Sequence, residues 1–291
     1  MKIKNSRGDR AIIAVIYVFL FLCTAIMIYP FLNIIAKAFS GYTANTTGRV
    51  FLWPVDFQTD TVQSVIHNQK FLRSFFVSIR VAVFGTLLAI LLSGMAAYVL
   101  SRKQLRGRRG LTVLFVFTMM FSGGMIPQYM LIHSLGMLNH ITSLFVPGAV
   151  SVYNMLILKS AFEAISPALE ESAKLDGAGN MTIFLRIMLP ITKPSFAAVA
   201  LFLAVGYWNE YWSAMLYITK EEWKPLQIYL MDVINASTDT LANMDSAMLS
   251  MNSPEGVKAA TILISMIPVL IIYPFLQKYF VKGVMIGSVK E

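Results

Sequence analysis

Residues 166–190 read SPALEESAKLDGAGNMTIFLRIMLP, a charged stretch between the apolar runs 141–162 and 195–217. Ser166 before Pro167 is a helix start, because a serine caps free amides and proline at the first helical position forfeits no hydrogen bond. Ala168 to Asp176 are mostly helix formers, and the early acids Glu170 and Glu171 suit the positive end of the helix dipole. Gly177 is suited to end that helix. A second short helix is expected over residues 181–188, with Phe184, Ile187 and Met188 on one face and Pro190 as its stop. The stretch thus reads as a helix-turn-helix on the surface of something strongly apolar.

What it interrupts is a membrane protein. Of 291 residues, 57% are hydrophobic and 13% charged, and the mean hydropathy is +0.65. Runs near residues 11–38, 74–100, 111–132, 141–162, 195–217 and 258–281 each supply roughly the 20 apolar residues that cross hydrocarbon. The expectation is an all-α, polytopic chain with six transmembrane helices. A barrel would instead show alternating ~10-residue segments. The first run is too long for a signal peptide and has no small-x-small cleavage site after it, so it is expected to be retained.

Lys and Arg set the orientation. Lys2, Lys4, Arg7 and Arg10 precede the first run, five bases and no acid occupy residues 101–110, and Lys278, Lys282 and Lys290 lie in the tail. Residues 133–140 carry no Lys or Arg, and residues 218–256 carry two bases against six acids. Both termini and residues 166–190 are therefore expected in the cytoplasm of a multi-pass protein of the cell membrane. The expected organisation is a cytoplasmic N-terminus, residues 1–10, and one transmembrane domain, residues 11–291. Its core is about residues 74–281, with the cytoplasmic loop 163–194 and the outer loop 218–257.

The net charge of +9 is concentrated at helix ends, as topology requires, so nucleic acid is not an expected partner. Cys23 is the one cysteine and forms no intrachain disulfide. His67, His133 and His140 are not spaced as a metal site. No G-x-S-x-G or H-E-x-x-H motif offers a hydrolase, so no catalytic residue is assigned.

The loop 163–194 holds four acids (Glu163, Glu170, Glu171, Asp176) against three bases (Lys174, Arg186, Lys193). A link that merely rests on anionic lipid needs a basic surplus on its polar face. Protein is the better partner on this balance, with a lipid-resting link as the plainer alternative. The outer loop 218–257, with Pro225 and Pro254, is too long for a turn and is expected to fold against something outside the membrane.

The run Glu171-Ser172-Ala173-x-x-Asp176-Gly177-Ala178, continued by Phe184, Ile187, Leu189 and Pro190, resembles the signature loop of permease subunits of binding-protein-dependent ABC importers. That signature is written E-A-A-x-x-D-G-A with F-x-x-I-x-L-P, and Ser172 stands here for alanine. Residues 97–102 (AYVLSR) with Gly107-Arg108, residues 207–211 (YWNEY) and residues 277–283 (QKYFVKG) with Gly287 and Lys290 are similar to the carbohydrate, maltose-permease-like branch. Residues 121–127 (FSGGMIP) resemble a subgroup that handles oligosaccharides from complex polysaccharides.

The resemblance implies a type I ABC importer permease fold and a transporter subunit rather than an enzyme. It implies a coupling surface made of Glu170, Glu171, Ser172, Ala173, Asp176, Gly177, Ala178, Phe184, Ile187, Leu189 and Pro190. Glu171 would pair with a cleft of the ATPase, Ala173 would permit close approach, and Gly177 would supply the turn. The partners implied are a second homologous permease, two ATPase subunits, an extracytoplasmic binding protein, an oligosaccharide and membrane lipid. This chain has no G-x-x-x-x-G-K-[ST] phosphate loop, so it binds no cofactor of its own, and ATP with Mg belongs to the partner ATPases.

Candidates for the substrate path are Tyr207, Trp208, Asn209, Glu210 and Tyr211, since an ionisable residue in an apolar run normally faces a bundle interior or a watery cavity. Equally, Glu210 lies at the head-group end of its helix or pairs with Arg80, and the run is a structural motif. Gly123, Gly124 and Gly136 mark either a broken helix or close packing. Three other readings remain open at this level: a permease of this architecture for amino acids or ions, an ATP-independent secondary transporter, and a membrane scaffold that transports nothing.

Overall fold

The computed structural model describes residues 7–236 and 252–288, and every regular element among them is helical. The chain divides into two compact units, residues 1–71 with 230–266 and residues 72–229 with 267–291.

In the first unit, α1 (Arg7–Ala38) contains the apolar segment Ile12–Ala38, none of whose best spanning window is buried within the chain. At about 1.5 Å per residue this segment is longer than the ~30 Å hydrocarbon core. The chain then folds back on the end of α1, where Asn33 Nδ2 donates to the carbonyls of Val50 (3.2 Å) and Phe51 (2.7 Å). Asn45, in the short helix α2 (Tyr42–Thr46), donates to the carbonyls of Lys37 and Ser40. A third helix, α3 (Asp60–His67), is tied through Thr61 and Ser64 to the buried Asn252.

In the second unit, α4 (Gln69–Ser101) is the central span. It is followed by α5 (Arg108–Met120) and α6 (Met125–Ser134), bent by 108° at residues 121–124, where Gly124 takes φ +90°. Free backbone groups at such a break are tolerated at membrane depth only against protein or a watery cavity. Next come α7 (Val152–Glu163), α8 (Pro167–Leu175) and α9 (Asn180–Ile183). A π turn, Phe184–Met188, leads into α10 (Leu189–Ile191), and α11 (Lys193–Trp208), α12 (Trp212–Tyr217) and α13 (Leu226–Asn235) complete the order up to residue 236. The last helix, α14 (Pro254–Ser288), belongs to the first unit up to residue 266 and to the second from residue 267. Ser253 caps its start, accepting from the Gly256 amide at 3.0 Å.

Three helices among the described residues are long and apolar enough to cross a membrane, and five segments qualify if each bent pair counts as one. Residues 141–162 do not form the continuous helix expected of them. A 3-10 turn (Ile141–Leu144) precedes Pro147 and Gly148, and only Val152–Glu163 is helical, its start capped by Ser151. Twelve residues span about 18 Å, short of the hydrocarbon thickness. Likewise the run 195–217 breaks between Trp208 and Trp212. Hydropathy averages over both breaks: residues 145–150 remain apolar, and Asn209 and Glu210 are outweighed by the apolar residues on either side.

Two glycines of α4 set its approach to α11. A β-carbon on Gly85 would lie 2.9 Å from the Tyr207 ring, and one on Gly94 would lie 2.9 Å from the Phe196 ring. Small residues that let helices close in this way are the usual means of packing where water supplies no driving force. The outer part of expected loop 218–257 includes α13, whose first amide, on Leu226, donates to Ser78 Oγ of α4 at 2.8 Å. Residues 237–251 of that loop, and Lys290 at the C-terminus, lie outside the described residues.

Candidate coupling site

Residues 166–190 form the expected elbow, with one correction at its start. Ser166 makes no side-chain cap; its carbonyl accepts from Leu169 N, and Pro167 begins α8. The C-terminus of α8 is a Schellman motif. Gly177 adopts φ +80°, its amide donates to Lys174 O at 3.0 Å, and the Ala178 amide donates to Ala173 O at 2.9 Å. Only a residue without a β-carbon enters that conformation cheaply, which gives Asp176-Gly177-Ala178 a physical reason. Ala173 and Ala178, the positions that such motifs bring together, both pack on the main core cluster.

The second arm begins at Asn180 and runs past Pro190 to Ile191, so Pro190 does not end it. The π turn Phe184–Met188 comes just before the proline. Such wide turns accommodate a ring that has no amide to donate and would crowd the preceding turn.

Burial sorts the expected coupling residues into two faces. Ala173, Phe184 and, more loosely, Ala178, Ile187 and Leu189 pack into this chain's own core, beside Ile183 and Met188. Phe184 sits in an aromatic cluster, with ring centroids 5.0 Å from Tyr98 and 6.1 Å from Phe162. Glu171, Ser172, Asp176, Gly177 and Pro190 are exposed. Leu175 stands beside them, 89% exposed. Ala173 therefore packs the elbow onto the core from behind.

Glu170 also turns inward. Its carboxylate forms an ion pair with Arg102 Nη1, and both side chains are nearly buried; Lys174 Nζ reaches the same oxygen at 2.6 Å. Burial holds the Arg102 guanidinium below its usual pKa. Glu163 is bound by Arg108 at 3.0 Å and by Lys159 at 2.9 Å. Two of the four acids counted in this loop are thus engaged by the chain itself, which leaves Glu171 and Asp176 on the outside. Two of the partners, Arg102 and Arg108, come from the basic link 101–110, whose charge topology alone had accounted for. Opposite charge on two links facing the same side was the signal available in the sequence; which charges meet depends on the fold.

Tyr207 and Trp208, proposed for the substrate path, are held in packing. The Tyr207 hydroxyl shares its one proton between Phe145 O (3.3 Å) and Gly148 O (3.2 Å), and Trp208 is buried edge-on to Phe75. Glu210 Oε1 accepts from the Ser213 amide at 2.9 Å and so caps α12, while Arg80 is exposed. Tyr211 is half-buried against Trp212, and Asn209 is the exposed member of the five. Near them Asn139, at φ +59°, accepts through Oδ1 from Thr219 N, Thr219 Oγ1 and Lys220 N at 2.7–3.0 Å.

The chain is 40% identical over 276 residues to the polygalacturonan/rhamnogalacturonan transport system permease protein YtcP of Bacillus subtilis, which covers 94% of this chain and 96% of that protein. It belongs to the permease family of sugar ABC transport systems. The permease is also 27% identical to the lactose transport system permease protein LacG of Rhizobium radiobacter, over 94% of this chain and 95% of that protein. Its fold matches a chain in the crystal structure of a bacterial ABC transporter involved in import of the acidic polysaccharide alginate. The TM-score is 0.90 at 35% identity, covering 96% of the permease and 100% of that chain. No family model matches the sequence.

Proposed function

We propose that the permease is the membrane-spanning subunit of an importer driven by a separate ATPase, and that it carries an oligosaccharide derived from a polysaccharide. Six membrane crossings with both termini in the cytoplasm fit the charge pattern of the links, and residues 11–291 act as one transmembrane domain. An extracytoplasmic binding protein delivers the sugar, a second homologous permease completes the pathway, and two ATPase subunits supply ATP and Mg. The observation that carries this reading is the two-faced elbow: its rear is locked into the core while Glu171, Leu175 and Asp176 stand free. An exposed leucine one helical turn from Glu171 and next to Asp176 suits a helix set into a groove of another protein.

Polysaccharide fragments are favoured over amino acids or ions because two of the proteins compared handle polymers of acidic sugars. Coupling runs through rigid-body motion: ATP closes the ATPase pair, the elbow follows, and the pathway changes the side on which it opens. The test is Glu171→Lys in the assembled complex. ATPase co-purification is expected to be lost; undiminished yield would overturn the coupling assignment. Uptake by cells of labelled oligogalacturonides, lactose and amino acids tests the solute, and uptake of amino acids alone would overturn the sugar assignment.

A further inference from the structure

We propose that the cytoplasmic end of α4, through Tyr98 and Arg102, is a positioning clamp that grips both arms of the coupling elbow and carries its motion into the membrane span. This rests on the reading that residues 166–190 meet an ATPase. Arg102 pairs with Glu170 on the first arm, with 14% and 12% of the two side chains exposed. Four residues before Arg102, in the last turn of α4, the Tyr98 hydroxyl donates to Asn180 O, at the start of the second arm, at 3.1 Å. The guanidinium of Arg102 lies 4.2 Å from the centroid of the Tyr98 ring, a cation–π contact that joins the two grips. That ring also packs 5.7 Å from Phe162 and 5.0 Å from Phe184.

The placement of the grips matters more than their number. They fall on opposite sides of the turn at Gly177, where a link held at one point would pivot. Held on both arms, the elbow moves as a body with α4. A side pair of this kind, shielded from water and salt, keeps its attraction where an exposed pair would be screened. Arg108 with Glu163 ties the neighbouring end of α7 to the start of α5, so the basic link also holds the segment that leads into the elbow.

The experiment uses the full complex of permeases, ATPases and binding protein in liposomes. The binding protein is loaded with whichever oligosaccharide binds it in a titration of oligogalacturonates, alginate oligomers and neutral oligomers. Arg102→Gln and Glu170→Gln are each expected to lower binding-protein stimulation of ATP hydrolysis by about tenfold, the scale of coupling between distant sites. The double variant should be no worse than the worse single one, Arg102→Lys should recover part of the stimulation, and ATPase co-purification should persist throughout. Losses that multiply, stimulation that is unchanged, or ATPase subunits lost with Arg102→Gln would each overturn the clamp. Glu171→Lys run alongside separates the two readings: if it keeps its ATPase, the coupling surface itself is misassigned, whatever the clamp variants do.

Discussion

Tyr207 covers Gly85 so closely that a β-carbon at position 85 would sit 2.9 Å from two of its ring carbons and 3.0 Å from Phe145 Cβ. The contact joins the helices α4 and α11, and the Tyr207 hydroxyl extends it to the carbonyls of Phe145 and Gly148. Gly85→Ala is expected to destabilise the permease by about 1–3 kcal/mol, the usual cost of overpacking. Tyr207→Phe removes only the hydroxyl and should cost about 1 kcal/mol. Thermal unfolding of the detergent-purified chain checks both, and Gly85→Ala melting at the wild-type temperature would contradict the packing argument.

Gly177 at φ +80° predicts a graded effect. Gly177→Ala should cost about 1–2 kcal/mol for a β-carbon in the left-handed region. Gly177→Asn, a residue better tolerated there, should be milder. Because the turn sets the angle between the two arms of the elbow, ATPase co-purification should fall in the same order, alanine below asparagine. The reverse order would show that backbone conformation is not what glycine supplies.

Asn139 offers one oxygen to three donors from Thr219 and Lys220. Asn139→Ala releases two backbone amides to water, since Thr219 and Lys220 are exposed, so the loss is the net worth of those hydrogen bonds, about 0.5–1.5 kcal/mol each. Asn139→Asp keeps the acceptor and should retain most stability. Protease sensitivity of the outer loop reports the difference, with faster cleavage expected for alanine and a near-wild-type rate for aspartate.

Asn252 is 1% exposed and bridges Thr61 and Ser64. Asn252→Ala should lower stability by about 2 kcal/mol through the loss of buried, satisfied polar contacts. Thr61→Val in the same background should add little, because their shared bond is already gone; additive losses in a double-mutant cycle would refute the pairing.

Much of the helical class was legible from hydropathy, since lipid leaves a spanning chain few alternatives. The elbow was legible because its turn chemistry is local: Pro167, Gly177 and Ala178 act through their own backbone. The non-helical residues 145–150 were not, because apolar residues occupy helix and bend alike; at 121–124 the glycines left a broken helix and close packing equally open, and at 209–211 the polar pair Asn209 and Glu210 read as a substrate path rather than as a break. Of the substrate-path candidates, Tyr207 and Trp208 read as sugar-binding side chains, but their hydrogen-bond and ring partners come from residues 145, 148 and 75. Nothing in the run YWNEY announces those partners.

The sequence by itself determined that this chain is helical and apolar enough for a membrane, that it carries no ATP-binding loop, and that one polar elbow is its distinctive feature. Those properties follow from composition, local propensity and motif spacing. The tertiary structure alone decided which side of the elbow faces out. Glu170 and Glu171 are adjacent, chemically alike and both early in α8, yet one meets Arg102 and the other meets solvent. A helix rotates about 100° per residue, so neighbours point to different surroundings. What waits there is set by packing between segments some seventy positions apart in the chain.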